Sequence, residues 1–227
     1  MNLKSIRVYT HEVQGILDGR QSQLRRIVKK DLDHQCWIGN GEGYESAPPS
    51  WSKEALKSGL LWCANCGHHA MSPVKCPYGK PGDILWVRET WCKVIDQDEA
   101  TPGYLYKADE DPTGQFSGYR WKPSIHMAQS AARIFLRITD IRVERLQDIT
   151  EEDAISEGIL PLLQSRMQLA MDGQLYRDYT KKPELFNEGL RPVQSFQSLW
   201  QSINGPDSWQ PNPWTWVVSF ERIDKPE

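Results

Sequence analysis

Arg88 and Glu89 stand side by side at the end of an apolar run, Ile84-Leu85-Trp86-Val87, that a turn at Gly79-Lys80-Pro81-Gly82-Asp83 introduces. Adjacent residues of a regular strand point to opposite faces, so only one of the pair enters a cleft unless a bulge intervenes. The plainer reading is an exposed ion pair at a strand end. A second polar block, Gly19-Arg20-Gln21-Ser22-Gln23-Leu24-Arg25-Arg26, follows a short apolar segment containing Val13, Ile16 and Leu17. Together the two blocks predict one polar cleft. Its candidate residues are Arg20, Gln21, Ser22, Arg25, Arg26, Arg88, Glu89 and His126. His126 lies between Ile125 and Met127, where a lone histidine is more often a packing residue.

The second kind of chemistry is thiolate chemistry. Cys63-Ala64-Asn65-Cys66-Gly67-His68-His69 has the shape of a zinc knuckle, and Cys76 follows ten residues beyond Cys66. A two-residue gap followed by glycine lets both thiolates face one ion. The expected set is Cys63, Cys66 and Cys76 with His68, the fourth position being open to His69 or Cys36 as well. Such a zinc would be structural, closed by four ligands; the alternative is unligated thiols in a loop. Five cysteines, odd in number and clustered, argue for reduced thiols or a metal over a disulfide framework.

Composition limits the partners. The net charge of −3 excludes nucleic-acid binding by bulk electrostatics, so such binding needs a local patch. Arg20, Arg25, Arg26, Lys29 and Lys30 supply one, and helical spacing would put Arg26 with Lys30 on one face and Arg25 with Lys29 on the next; a solvated helix face is the bland alternative. Ten tryptophans serve as core bulk or as stacking surface, Trp86, Trp91, Trp121, Trp214 and Trp216 among them. No apolar run approaches the ~20 residues of a membrane span and no secretory signal is visible, which predicts a cytoplasmic protein without membrane contact.

The elements that must hold these groups are predicted as follows. Residues 3 to 9 read as a strand, and 12 to 30 as helix and polar turn with a stop at Gly19. The stretch 33 to 81, rich in Gly, Pro, Ser, Trp and Cys, reads as an irregular insertion. Strands are expected at 83 to 92, 103 to 109, 133 to 145 and 214 to 220. Thr150 caps a short helix ending at Gly158, 159 to 192 reads as loosely patterned helix, and 193 to 203 carries a clear helical stripe. Strands spread from first residue to last predict a single α+β domain over 1–227, a mixed β-barrel with flanking helices.

Three ordered blocks carry a family resemblance: Gly82 to Trp91, Pro123-Ser124-Ile125-His126-Met127, and Asn212-Pro213-Trp214-Thr215-Trp216. They resemble the ASCH family of PUA-like β-barrels in the form common in bacteriophages and prophages, over residues 6 to 223. The family hallmark, Gly-x-Lys-x-x-Glu-x-Arg or its Thr variant, falls on Gly19, Gln21, Leu24 and Arg26, so lysine has become Gln21 and the polar residue Leu24. One small class of the family is similar to an amidohydrolase acting on N4-acetylcytidine with a Lys, a Thr and a Glu, which here would be Gln21, Leu24 and Glu157. Gln21 cannot accept a proton and Leu24 has no oxygen, so that mechanism does not carry over unchanged. After the Pro-Ser-Ile-His-Met block the family usually continues Pro-Arg-Trp-Ala-Ser-Arg, where this chain has Ala128-Gln129-Ser130-Ala131-Ala132-Arg133. The resemblance implies RNA or a modified nucleotide as partner. A hydrolase of an acylated nucleobase or phosphodiester using Glu157, and a phage module contacting a host protein through the 33–81 lobe, are the alternatives.

Overall fold

The computed structural model describes residues 3–30, 32–33, 36–39, 44–47, 50–64, 73–94, 103–110, 114, 116, 118–164, 169–170, 173–181 and 189–226. The main sheet is assembled from β1 (Leu3–Arg7), β2 (Gln23–Ile27), β7 (Ile84–Arg88), β10 (Phe135–Arg145) and β11 (Trp214–Ile223). Their order is β1-β7-β10-β11-β2, with β1 parallel to β7 and every other neighbour antiparallel. Alternation places Leu24, Leu85, Val87, Trp216 and Val218 on one buried face, where they share a core with Ile6 and Val13. In β10 the apolar residues switch from even positions (Leu136, Ile138) to odd ones (Ile141, Val143), yet all four lie in that core. A bulge between Ile138 and Asp140 inserts the one extra residue that makes this possible.

Helices close the ends of the sheet. Between β1 and β2, α1 (Thr10–Leu17) stops at Asp18, and Gly19 follows at φ 73°. After β10, α3 (Glu151–Ser156) starts at Thr150, whose hydroxyl accepts the Asp153 N–H. It packs with α4 (Pro192–Asn204) around a second core of Leu146, Ala154, Phe196, Leu199 and Trp200. A third cluster, Ile84, Trp91, Met127 and Phe135, lies under the hairpin of β8 (Trp91–Val94) and β9 (Gly103–Tyr106).

The architecture is mixed α+β with a multi-stranded sheet. Among the described residues the expected barrel does not close: β1 and β2 are the two edges, and they meet through a side chain. The Arg26 guanidinium donates to the Arg7 carbonyl at 3.3 Å across the gap.

Several local expectations change. Residues 23 to 27, expected to continue helix and turn, form a strand, so no helical stripe of Arg25, Arg26, Lys29 and Lys30 exists; adjacent arginines on a strand face opposite ways. The strand expected over 83 to 92 breaks at Glu89-Thr90 into β7 and β8, and the one expected over 103 to 109 ends at Tyr106, where a 3₁₀ turn begins. Among the described residues of 159 to 191 helix occurs only at 169–170; Tyr176 instead bridges Pro161 and Leu190 in extended backbone.

The 33–81 lobe contains β3 (Cys36–Gly39) paired with β4 (Tyr44–Ala47), α2 (Lys53–Lys57) capped by Ser52, and β5 (Leu60–Leu61) paired with β6 (Val74–Lys75). Leu56, Leu61 and Cys76 join the main core, which anchors the lobe to the sheet.

Candidate functional site

The two faces of β2 hold two different polar arrangements. On the outer face, Gln23 and Arg25 lie beside Asp140, Arg142 and Glu144 of β10, under α3. Arg25, 2% exposed, donates to Glu157 Oε1 at 3.1 Å, Glu144 Oε2 at 2.9 Å and Asp153 Oδ2 at 3.1 Å. Arg142 donates to Glu144 at 2.7 Å and to Asp153 at 3.1 Å. Glu157, 5% exposed, also accepts the Arg25 backbone N–H at 3.1 Å and the Gln23 amide at 3.2 Å. Burial raises the Glu157 carboxyl above its ordinary range, with Arg25 opposing. Burial also pushes Asp153 upward, but Arg25 and Arg142 outweigh it and hold that carboxyl low. Two cations among three carboxylates, each hydrogen-bonded, make a clamp that holds α3 on the sheet.

A cleft of about 1070 Å³ occupies the gap between the β1 and β2 edges and is lined from both faces of β2, by Arg25 and Glu157 on one side and Arg26 on the other. Arg26 spans its floor: its guanidinium bonds both oxygens of Glu12, at 2.9 and 2.8 Å. Glu12 is itself fixed, because the Tyr9 backbone N–H donates to it at 2.7 Å. Burial lowers the Arg26 pKa, but the Glu12 carboxylate more than offsets this and the net shift is upward. Around this clasp the cleft is bordered by exposed Arg7, Lys29, Lys30 and Lys75, with half-buried Arg88. None of Arg7, Lys29, Lys30 and Lys75 forms an ion pair among the described residues. Tyr9, 51% exposed, stacks on His11 with ring centroids 5.7 Å apart and planes 9° apart. Burial lowers the His11 pKa, with Glu12 opposing the shift and Arg26 adding to it.

The two sequence blocks therefore do meet: Arg25, Arg26, Arg88 and Glu157 all border the cleft. Arg88 donates to the Ile125 carbonyl and lies 5.4 Å from the Trp86 ring. Other expected residues lie elsewhere. Glu89 points to the opposite face, fully buried, accepting from Arg133 at 2.9 and 3.0 Å. Arg133 also bonds Asp109 and covers the Tyr106 ring at 3.9 Å, so this group is a strut between β7 and β9. His126 is exposed in a 3₁₀ turn and lies outside the cleft lining, although Ser124 of the same turn reaches it. Arg20 is engaged with Asp18 at 3.0 Å and the Gly158 carbonyl at 2.6 Å.

Gln21 does not present its amide to solvent. It is buried, donates to the Gln23 carbonyl at 3.0 Å, and is wedged between two glycines. A Cβ at Gly158 would lie 2.8 Å from the Gln21 Cβ, and one at Gly15 would lie 3.0 Å from its Oε1. Ser22 is exposed, and its backbone ties α3 to β11: its N–H donates to the Ser156 carbonyl and its own carbonyl accepts the Phe220 N–H. Leu24 is wholly buried in the main core. Gln21 and Leu24 are therefore both closed to solvent.

The residues missed from sequence are Tyr9 and Glu12 at the start of α1, and Arg142, Glu144 and Asp153 of the clamp. A signal existed for Glu12, three residues after Tyr9 at the capping-box position; for the clamp it was the charge at alternate residues of β10.

Of the expected metal set, Cys66 and His68 lie outside the described residues, as does His69. Cys63 is fully buried with its Sγ 3.3 Å from that of Cys36. Cys76 lies in the main core, where burial pushes its thiol pKa up and the backbone N–H groups of Tyr78 and Gly79 counteract this. Among the described residues no group of three or more His, Cys, Asp or Glu is arranged to hold a metal, and no helix is long and apolar enough to cross a membrane. No protein-family model, curated protein or solved structure matches the chain.

Proposed function

We propose that this protein binds RNA or a modified nucleotide, as an ASCH-type member of the PUA-like proteins, in the cleft between the edges of β1 and β2. What carries the reading is the character of that cleft. Arg7, Lys29, Lys30 and Lys75 border it without an ion-pair partner among the described residues, next to the exposed Tyr9 ring. Cations of this kind take backbone phosphates, and a half-exposed aromatic ring can take a base by stacking, worth ~1 to 3 kcal/mol per base. A net charge of −3 makes the local concentration of cations the deciding quantity.

The reading is binding without hydrolysis. Glu157 borders the cleft with a raised pKa, which is the observation favouring a hydrolase. Its oxygens, however, accept from Gln23, from the Arg25 backbone and from the Arg25 side chain, leaving it a poor proton acceptor.

Fluorescence anisotropy with single-stranded RNA, duplex RNA and duplex DNA over a salt series tests the proposal. Saturable binding whose affinity falls steeply with salt supports it, and absence of binding at low salt overturns it. Turnover of an acylated cytidine that disappears in Glu157→Gln would establish the hydrolase instead.

A further inference from the structure

Phe116, Tyr119 and Trp121 belong to none of the three apolar clusters that fill the fold. They pack on one another instead: the Phe116 ring meets Tyr119 edge-on at 6.1 Å and Trp121 edge-on at 6.2 Å. Tyr119 is 42% exposed and Trp121 is half-buried. Aromatic side chains of this size dominate cores and interfaces, so a trio left at the surface points to a partner.

Cations are interleaved with these rings. Arg120 and Lys122, both exposed, alternate with Tyr119 and Trp121 along the chain, and neither forms an ion pair among the described residues. Lys107, which is paired with Glu110, lies 5.3 Å from the Trp121 ring. Rings alternating with unpaired cations suit a single strand of nucleic acid, whose bases stack on the rings while its phosphates meet the cations. A duplex keeps its bases stacked on one another and offers the rings nothing.

The backbone holds this segment against the cleft. Lys122 exchanges two hydrogen bonds with Trp91 of β8, at 2.8 and 3.2 Å, and three residues on the Ile125 carbonyl accepts from Arg88. Arg88, Thr90 and Ser124 all border the cleft, and the Lys107 N–H donates to the Thr90 carbonyl at 2.9 Å. Lys122 stands two residues from Ser124, at most ~7 Å of chain, so the basic and aromatic patch begins where the cleft rim ends.

We propose that this patch continues the cleft, so that the ligand is a single strand of RNA that leaves the cleft past Ser124 and crosses Lys122, Trp121, Arg120 and Tyr119. Resting on the cleft's being an RNA site, this adds a second contact surface and a requirement for length. A lone modified nucleotide would occupy the cleft and leave the patch empty.

Anisotropy of the full chain with labelled oligouridylates of about 4 and about 16 nucleotides, which bracket common single-strand site sizes, tests the track. Wild type should bind the longer strand more tightly than its greater number of binding registers explains. Tyr119→Ala, Arg120→Ala and Lys122→Ala combined should weaken the longer strand at least about tenfold and lower its salt slope by about 1.4, at ~0.7 per phosphate contact. Affinity for the short strand and the denaturation midpoint should not change, since all three side chains are exposed. Should the triple variant not fold, wild type irradiated with a 5-iodouridine strand of the longer length decides: adducts on Tyr119 or Trp121 support the track, and adducts confined to the cleft overturn it. No gain beyond register counting, the longer strand bound undiminished by the triple variant, or equal loss at both lengths would overturn the track while leaving the cleft an RNA site. Failure of both strands to bind would overturn the cleft reading as well.

Discussion

Arg25 and Arg26 are neighbours in the chain and opposites in setting. Arg25 is sealed under α3 among Glu144, Asp153 and Glu157, while Arg26 lies across the floor of an open cleft, clasping Glu12. Both are ion-paired with carboxylates, so neither is the cation that a phosphate would first meet. That part falls to Arg7, Lys29, Lys30 and Lys75 on the rim. The contrast separates what holds the site from what can bind in it, and it moves Glu157 from reagent to scaffold.

The hardest way to break this division is Arg25→Met. It leaves Glu157 buried without its cation, while Arg142 still pairs Glu144 and Asp153, and removing one partner of a buried ion pair costs ~3 to 5 kcal/mol. Urea denaturation should show a loss of that size. Glu157→Gln keeps shape but not charge, and should destabilise by ~1 to 3 kcal/mol in the same assay. If Glu157→Gln leaves stability untouched while abolishing a measured turnover, the comparison fails and Glu157 is a reagent.

The rim sharpens it from the other side. Lys29→Ala, Lys30→Ala and Lys75→Ala combined should leave the denaturation midpoint nearly unchanged. They should also lower the slope of log affinity against log salt by about two for single-stranded RNA. Tyr9→Ala should weaken single-stranded binding by ~1 to 3 kcal/mol and barely change its salt slope, because stacking releases no counterions.

The smallest effect is in acid. Arg25 and Arg142 hold the Asp153 pKa below its ordinary value of 3.8 in the fold, so its contribution is fully present above 3.8 and drains away as pH falls through the lower folded value. The stability gap between wild type and Asp153→Asn should thus stay constant near neutrality and narrow below 3.8, as urea midpoints over a pH series would show.

Much of the frame was legible in the sequence. Alternation gave β1, β7, β10 and β11, the Thr150 cap and Gly158 bounded α3, and the stripe Val193, Phe196, Leu199, Trp200, Ile203 marked α4. It failed at β2 because that strand buries Gln23 and Arg25 where alternation looks for apolar residues; only α3, far along the chain, makes their burial tolerable. It failed between 159 and 191 because Leu160, Leu162 and Tyr176 are spaced by cross-bridges and not by a helical repeat. For the site, Arg25, Arg26 and Arg88 of the two blocks border one cleft, whereas Arg20, Gln21, Ser22 and Glu89 lie outside its lining. Which member of Arg25–Arg26 and of Arg88–Glu89 turns to the more open side depended on strand parity, and the rim tyrosine sat in a segment with no charge pattern to mark it. The tryptophans expected to stack are mostly spoken for: Trp91 and Trp216 are buried, and Trp214 lies under Arg145.

The Arg26 clasp has a consequence for the behaviour of the chain in concentrated solution. A sheet that stops short of closure leaves two rows of backbone donors and acceptors, and such rows recruit strands from other molecules. By donating to the Arg7 carbonyl and holding Glu12 between the two edges, Arg26 occupies the place an intruding strand would take. Cutting the clasp would therefore expose a template for self-association, so one ion pair beside the cleft also guards the molecule against its own copies.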